Sequence, residues 1–286
     1  MLLAYNTNGL AHHDPIEAIE LLAEIGYRGV GLTIDHGLLS PRDRAERHRA
    51  ALQEFQRALR QFGMRSVVET GARFLLDPRQ KHEPTLMTAD PERRKLRVEF
   101  LRYAIRTAAE LQSDCVSIWS GILRNAPNEA SFSDAAAFER LIDGLAPVCD
   151  YASRQGVIVA FEPEPGMFID TMDRFEQLLA RFDHPALRLT IDLGHLHCQG
   201  ETPIGEQLRR WASRLVNVHI EDMRAGVHEH LMFGEGEIEF PPIFAALREI
   251  DYRGLVQVEL SRHSHEGPSA GRRAMEFLRP MLPPTG

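Results

Sequence analysis

The chain has 286 residues, 43% apolar and 26% charged, with a formal net charge of −8. This ordinary globular balance excludes a largely disordered chain, and three cysteines (Cys115, Cys149, Cys198) cannot form a fully paired disulfide scaffold. No apolar run approaches the roughly 18 residues of a membrane helix, and the acidic excess disfavours long nucleic-acid contacts, which need basic surface.

In chain order, Leu2–Asn6 reads as the first strand. The opening MLLAYNTNGLAHHDP has no basic n-region and no long apolar stretch, so no secretory leader and a cytoplasmic protein are expected. Pro15–Gly26 places Ile16, Ile19, Leu22 and Ala23 at helical spacing behind an Asp14-Pro15 start. The strand Gly29–Ile34 and a helix ending at Gly63 follow, then the strand Arg65–Thr70. Gly71–Asp90 is a connection long enough to suggest function. A helix over Pro91–Leu111 opens on Asp90-Pro91. The strands Cys115–Ser120, Val157–Glu162, Leu187–Asp192, Leu215–Glu221 and Leu255–Leu260 then alternate with further helices. Those span Ser133–Gln155, Met172–Phe182, Ile204–Ser213, Pro241–Ile250 and Ser269–Leu282, and Gly26, Gly63 and Gly156 suit helix ends.

Strand and helix thus alternate eight times without a linker or a composition break. The expected fold is a single (β/α)8 TIM barrel domain over residues 1–286, its active site at the C-terminal ends of the strands. A doubly wound open sheet is the competitor, since alternation alone does not choose between them. At the strand ends the chain delivers Asn6, then His36, Glu69 and Trp119. Glu162 follows with Glu164, Asp192 with His195, His219 with Glu221 and Asp222, and Glu259 with Arg262 and His263. Glu162, Asp192, His219 and Glu259 stand in phase on four successive strands. Three converging carboxylates would repel one another without a cation, and with one imidazole they suit Mn²⁺, Mg²⁺, Co²⁺ or Zn²⁺. The short Gly234–Gly236 GxG is no dinucleotide fingerprint, so no nucleotide cofactor is expected. Glu221 and Asp222 are candidates to hold His219 from behind.

The segments FEPEPG (Phe161–Gly166), TIDLGHLH (Thr190–His197), NVHIEDM (Asn217–Met223), GEGEIEF (Gly234–Phe240) and GLVQVELS (Gly254–Ser261) carry a resemblance. Together they resemble the xylose-isomerase-like TIM-barrel superfamily, which holds sugar phosphate isomerases and epimerases and the apurinic-site endonucleases. The resemblance implies one catalytic metal on Glu162, Asp192, His219 and Glu259. It implies that Glu162 and Glu259 also act as acid and base on opposite faces of the substrate. His195 would touch the substrate or a second metal. HEHLMFG (His228–Gly234) resembles the endonuclease stretch with an Asp-x-His pair, so His195, His228 and His230 form a candidate second metal site. The endonuclease pattern also wants histidines after strands three and four, where this chain has Glu69 and Trp119–Ser120.

The function expected is a divalent-metal-dependent isomerase or epimerase of a sugar, sugar phosphate or polyol. It would work by carboxylate proton transfer through a metal-stabilised enediolate. Two alternatives stay open: a zinc-dependent phosphodiester hydrolase of endonuclease type, and a dehydratase of a cyclic keto-polyol. Candidate substrate contacts are Asn6, His36, Glu69, Trp119, His195 and Arg224. Trp119 offers a face for a sugar ring and Arg224 a bidentate donor. The partner expected is a small carbohydrate-like molecule, with no membrane, no nucleic acid, and a homodimer as the commonest assembly.

Overall fold

The structure, a computed structural model, describes residues 1–124 and 133–282. Its first half alternates: β1 Leu2–Asn6, α1 Pro15–Ile25, β2 Gly29–Thr33, α2 Ala45–Phe62, β3 Arg65–Glu69, α3 Pro91–Leu111, β4 Val116–Ile118, α4 Asp134–Gln155, β5 Val159–Phe161 and α5 Met172–Arg181. Strict alternation then ends. Two helices, α6 Leu193–Cys198 and α7 Ile204–Trp211, follow β6 Leu187–Asp192. After β7 Leu215–Ile220 comes an antiparallel hairpin of β8 Asp222–Arg224 and β9 Val227–Leu231, then α8 Phe240–Glu249. β10 Leu255–Val258 and α9 Gly267–Leu278 finish the barrel. Neither α6 nor the hairpin was expected from periodicity; each is shorter than a window that registers a period.

Local chemistry sets the helix ends. Asp14 caps α1 by accepting from the amides of Ile16 and Glu17, and Asp90 caps α3 through Glu92. Each is followed by Pro at the first helical position, where no amide hydrogen is missed. Gly26 ends α1 at φ 114, a conformation that a Cβ would penalise.

All eight barrel strands pair in parallel and close in the order β1-β10-β7-β6-β5-β4-β3-β2. Closure through Leu2↔Leu255 and Tyr5↔Val258 excludes the open sheet. No helix among the described residues is long and apolar enough to cross a membrane. The main core fills the space between strands and helices, and the three cysteines are free and buried.

Inside the barrel, side chains two residues apart stack in layers. Ala4, Val67, Cys115, Ala160 and Leu255 make an apolar floor. One step up is a hydrogen-bonded polar layer. The Gln257 amide donates to Asn217 Oδ1 at 2.7 Å and to Glu69 Oε1 at 3.0 Å, and the Ser117 and Thr190 hydroxyls meet at 3.2 Å. Gly31 leaves room for this layer, since a Cβ there would come within 2.1 Å of Gln257 Oε1. Buried polar groups cost a few kcal/mol each unless paired; the pairs within this layer offset most of that cost, while Gln257 Oε1 is left without a partner. The ionisable residues stand on top of it.

Candidate active site

Glu162 and Glu259 lie one residue beyond β5 and β10, while Asp192 ends β6 and His219 lies near the end of β7. Glu162, Asp192 and His219 gather in one group, and Glu259 joins it through His219. His219 Nδ1 stands 3.2 Å from Glu162 Oε1 and 3.1 Å from Glu259 Oε2. Glu162, Asp192 and His219 each place one ligand atom within 4.8 Å of the others. On the opposite edge of the ring, His219 Nε2 is 3.0 Å from Glu69 Oε1. Asn8 donates to Glu259 Oε1 at 2.8 Å. Asp192 Oδ1 accepts the His195 amide at 2.8 Å, while its buried Oδ2 has no hydrogen-bond partner. Such an orphaned carboxylate oxygen beside two glutamates and an imidazole fits the donor set of a divalent cation.

Burial sets the electrostatics here. It pushes Glu162 up to about 7 against the pull of His219. Burial alone would raise Glu259 too, but the hydrogen bond and charge of His219 hold it well below the usual carboxylate range. For His219, burial lowers the pKa, and the charges of Glu162 and Glu69 outweigh it and carry it well above the ordinary value.

Beside this quartet stand His195 on α6 and His228 and His230 on β9. The i, i+2 spacing on β9 places both side chains on one side of the strand. His195 Nε2 and His228 Nε2 are 3.0 Å apart. His230 lies beside them, its ring centroid 5.4 Å from that of His228, with Nδ1 3.7 Å from Glu221 Oε2. Burial lowers His195 to about 4, whereas Glu221 overcomes burial and lifts His230 to about 10. The expectation that Glu221 and Asp222 hold His219 is corrected. Glu221 faces His230, and Asp222 accepts from the amides of Met223, Gly234 and Ile238, which fixes the hairpin and the following loop.

Glu162, His219, Glu259 and the three histidines line a cavity of about 340 Å³ together with Asn6, Glu69, Trp119 and Glu164, and Asp192 lies behind its wall. Burial raises Glu164 to about 8. His36 is exposed and lines an adjoining cavity of about 420 Å³ instead. Arg224 is exposed as well and donates to the Glu235 carbonyl at 3.1 Å, outside the central cavity. Several contributors were missed. Asn8 and Gln257 carry no motif signal. The long segment after β3 was singled out for its length, and it supplies Arg73, Lys81 and His82 to the cavity wall.

A family model described as xylose isomerase-like TIM barrel matches residues 19–281. The chain is 25% identical over 260 residues to the L-ribulose-5-phosphate 3-epimerase UlaE of Escherichia coli, which covers 89% of this chain and 85% of that one. It is 32% identical over 136 residues to an inosose dehydratase of Clostridium beijerinckii. That match covers 42% of this chain and spans 45% of the relative's length. Among solved structures, the 3-keto-D-glucoside 4-epimerase YcjR of Escherichia coli superposes with a TM-score of 0.79 at 19% identity, over 98% of this chain and 99% of that one. At that identity the likeness is one of fold.

Proposed function

We propose that this chain, which belongs to the xylose isomerase-like TIM barrel family, is a metal-dependent epimerase or isomerase of a small carbohydrate, acting in the cytoplasm as one barrel. The observation that carries the reading is the convergence of Glu162 and Glu259 on His219 Nδ1, at 3.2 and 3.1 Å, with Asp192 beside them.

Glu162, Asp192, His219 and Glu259 would hold one divalent metal of the Mn, Mg, Co or Zn class, whose contribution when bound is Lewis-acid stabilisation of negative charge on a substrate oxygen. The remaining work belongs to the chain. Glu69 faces Nε2 of His219 at 3.0 Å and would hold its proton there once the one on Nδ1 is displaced by a bound cation. Glu162 and Glu259 take and return a proton at the carbon next to a carbonyl: different carboxylates on opposite faces give epimerisation, and one carboxylate serving adjacent carbons gives isomerisation. Asn8 fixes the direction of Glu259. Asn6, Glu69 and His195 offer polar contacts to hydroxyls, and Trp119 offers a ring face. His36 and Arg224 lie outside the central cavity and have no place in this set.

A second reading, a dehydratase on the same carboxylates, is favoured by the stretch similar to inosose dehydratase. The test is incubation in D₂O with ketoses, keto-polyols and their phosphates, followed by NMR. Deuterium entering beside the carbonyl, with a new stereoisomer or positional isomer, is expected. Loss of water moves the assignment to a dehydratase. Inertness towards the whole panel, with cleavage of a phosphodiester, overturns both.

A further inference from the structure

We propose that Asp192, Glu221 and His230 form a second divalent-cation site beside the quartet, with Asp192 shared between the two. The inference rests on the quartet reading for the role of Asp192 alone.

Glu221 follows β7 and points inward, two residues beyond His219. It is fully buried, and neither of its carboxylate oxygens has a hydrogen-bond partner. Asp192 Oδ2 and His230 Nδ1 are buried and unpartnered in the same way. Ligand atoms of the three residues lie within 4.8 Å of one another. His230 Nδ1 and Glu221 Oε2 are 3.7 Å apart, too far for a hydrogen bond. Neighbouring ligands around a cation with bonds of about 2.0–2.2 Å sit at roughly 3–3.5 Å, so a small inward shift accommodates one. Gly194 makes the space, because a Cβ there would lie 2.0 Å from Glu221 Oε1. His230 lines the central cavity and gives a cation its way in.

The histidine triad expected from the sequence also gathers, with ligand atoms of His195, His228 and His230 within 4.8 Å of one another, but its members turn towards different partners. His195 and His228 direct their Nε2 atoms at each other, at 3.0 Å, while His230 turns Nδ1 to Glu221. The cation therefore belongs to two carboxylates and one imidazole, a donor set that suits Mn²⁺, Co²⁺ or Zn²⁺. The competing arrangement is a proton shared by Asp192 and Glu221.

The test is equilibrium dialysis of the demetallated protein against Mn²⁺ alone, with metal counted per chain and the EPR spectrum recorded. Wild type is expected to hold two ions whose signals are coupled through the shared carboxylate. Glu221→Gln, which keeps shape and removes charge, and His230→Gln are each expected to hold one ion, while His228→Gln holds two. If Glu221→Gln and His230→Gln both keep the wild-type count, or wild type holds a single ion, the site is overturned. Loss of an ion in His228→Gln but not in Glu221→Gln restores the histidine triad and overturns it equally. Two uncoupled ions in wild type overturn the sharing. Glu259→Gln separates the readings: retention of two ions there, with one in Glu221→Gln, removes the quartet and leaves the second site standing.

Discussion

The Asn8 amide donates a 2.8 Å hydrogen bond to Glu259 Oε1 across 251 residues of sequence. The distance along the chain is large and the distance in space small because β1 and β10 are the neighbours that close the barrel. The other oxygen of Glu259 stands 3.1 Å from His219 Nδ1. With both oxygens engaged, the carboxylate is held in one orientation before any ligand arrives.

Replacing Asn8 with Ala should free that carboxylate. Groups that orient a metal ligand typically carry about 10- to 100-fold in affinity or activity. The expected outcome for Asn8→Ala is metal binding weaker by that factor, read by chelator competition, with an unchanged far-UV spectrum. Unaltered affinity would take Asn8 out of this role.

The two proton-transfer carboxylates make a sharper case. Glu162→Gln and Glu259→Gln keep the side-chain shape and remove both basicity and an anionic ligand. Turnover should fall by more than about a thousandfold in each. Melting should stay cooperative, because the floor of Ala4, Val67, Cys115, Ala160 and Leu255 is untouched. A variant with near-normal turnover would refute the assignment of its residue.

Much of this was legible in the chain. Strands five to eight of the sequence reading end on Glu162, Asp192, His219 and Glu259, and period-two alternation places all four on the inner rim. Hydrophobic runs and Asp-Pro starts located the elements to within a few residues. What was not legible is what depends on distant packing. Asn8 and Gln257 are ordinary polar residues until closure of the barrel sets them against Glu259 and Glu69. Arg224 is a candidate substrate contact as a bidentate donor, yet the β8–β9 hairpin carries it outward to Glu235. Glu221 was read as a support for His219. Two residues further along a strand, its side chain shares the direction of His219 but sits one layer higher, beside His230.

His82 gives a pH prediction away from the carboxylates. Burial lowers its pKa to about 4, its Nδ1 contacts the Gly71 carbonyl, and its ring meets Trp119 edge-on at 5.4 Å. The folded form resists protonation that the unfolded chain accepts near 6.5. Its contribution is therefore fully present above pH 6.5 and is lost as pH falls from about 6.5 towards 4. For a partly exposed ring the size is roughly 1–3 kcal/mol. Other buried histidines, His195 among them, act in the same direction, so the informative quantity is the difference between wild type and His82→Gln. Urea midpoints at pH 7.5 and 5 should converge between the two proteins as pH falls. Parallel curves would assign the acid sensitivity elsewhere.

Arg97 on α3 supports the cavity wall from behind. It is 1% exposed, donates to the Thr70 carbonyl at 2.9 Å, and lays its guanidinium 4.5 Å from the Trp119 ring centroid and 5.2 Å from that of Phe100. Among the described residues its Nε and Nη1 have no hydrogen-bond partner. Burial draws its pKa down to about 9 against Glu83, so it stays charged at neutral pH. A desolvated cation costs several kcal/mol, and a cation–π contact returns only about 2. Removing the charge while keeping the volume should therefore be neutral or stabilising by about 1–3 kcal/mol in Arg97→Met. Arg97→Ala, which opens a cavity under Trp119, should lose about 2–4 kcal/mol. Denaturant unfolding of the two variants separates charge from volume. If Met proves as damaging as Ala, the charge itself stabilises this wall. The tryptophan emission of Arg97→Met should then move as well, because Trp119 would have lost what fixes its ring.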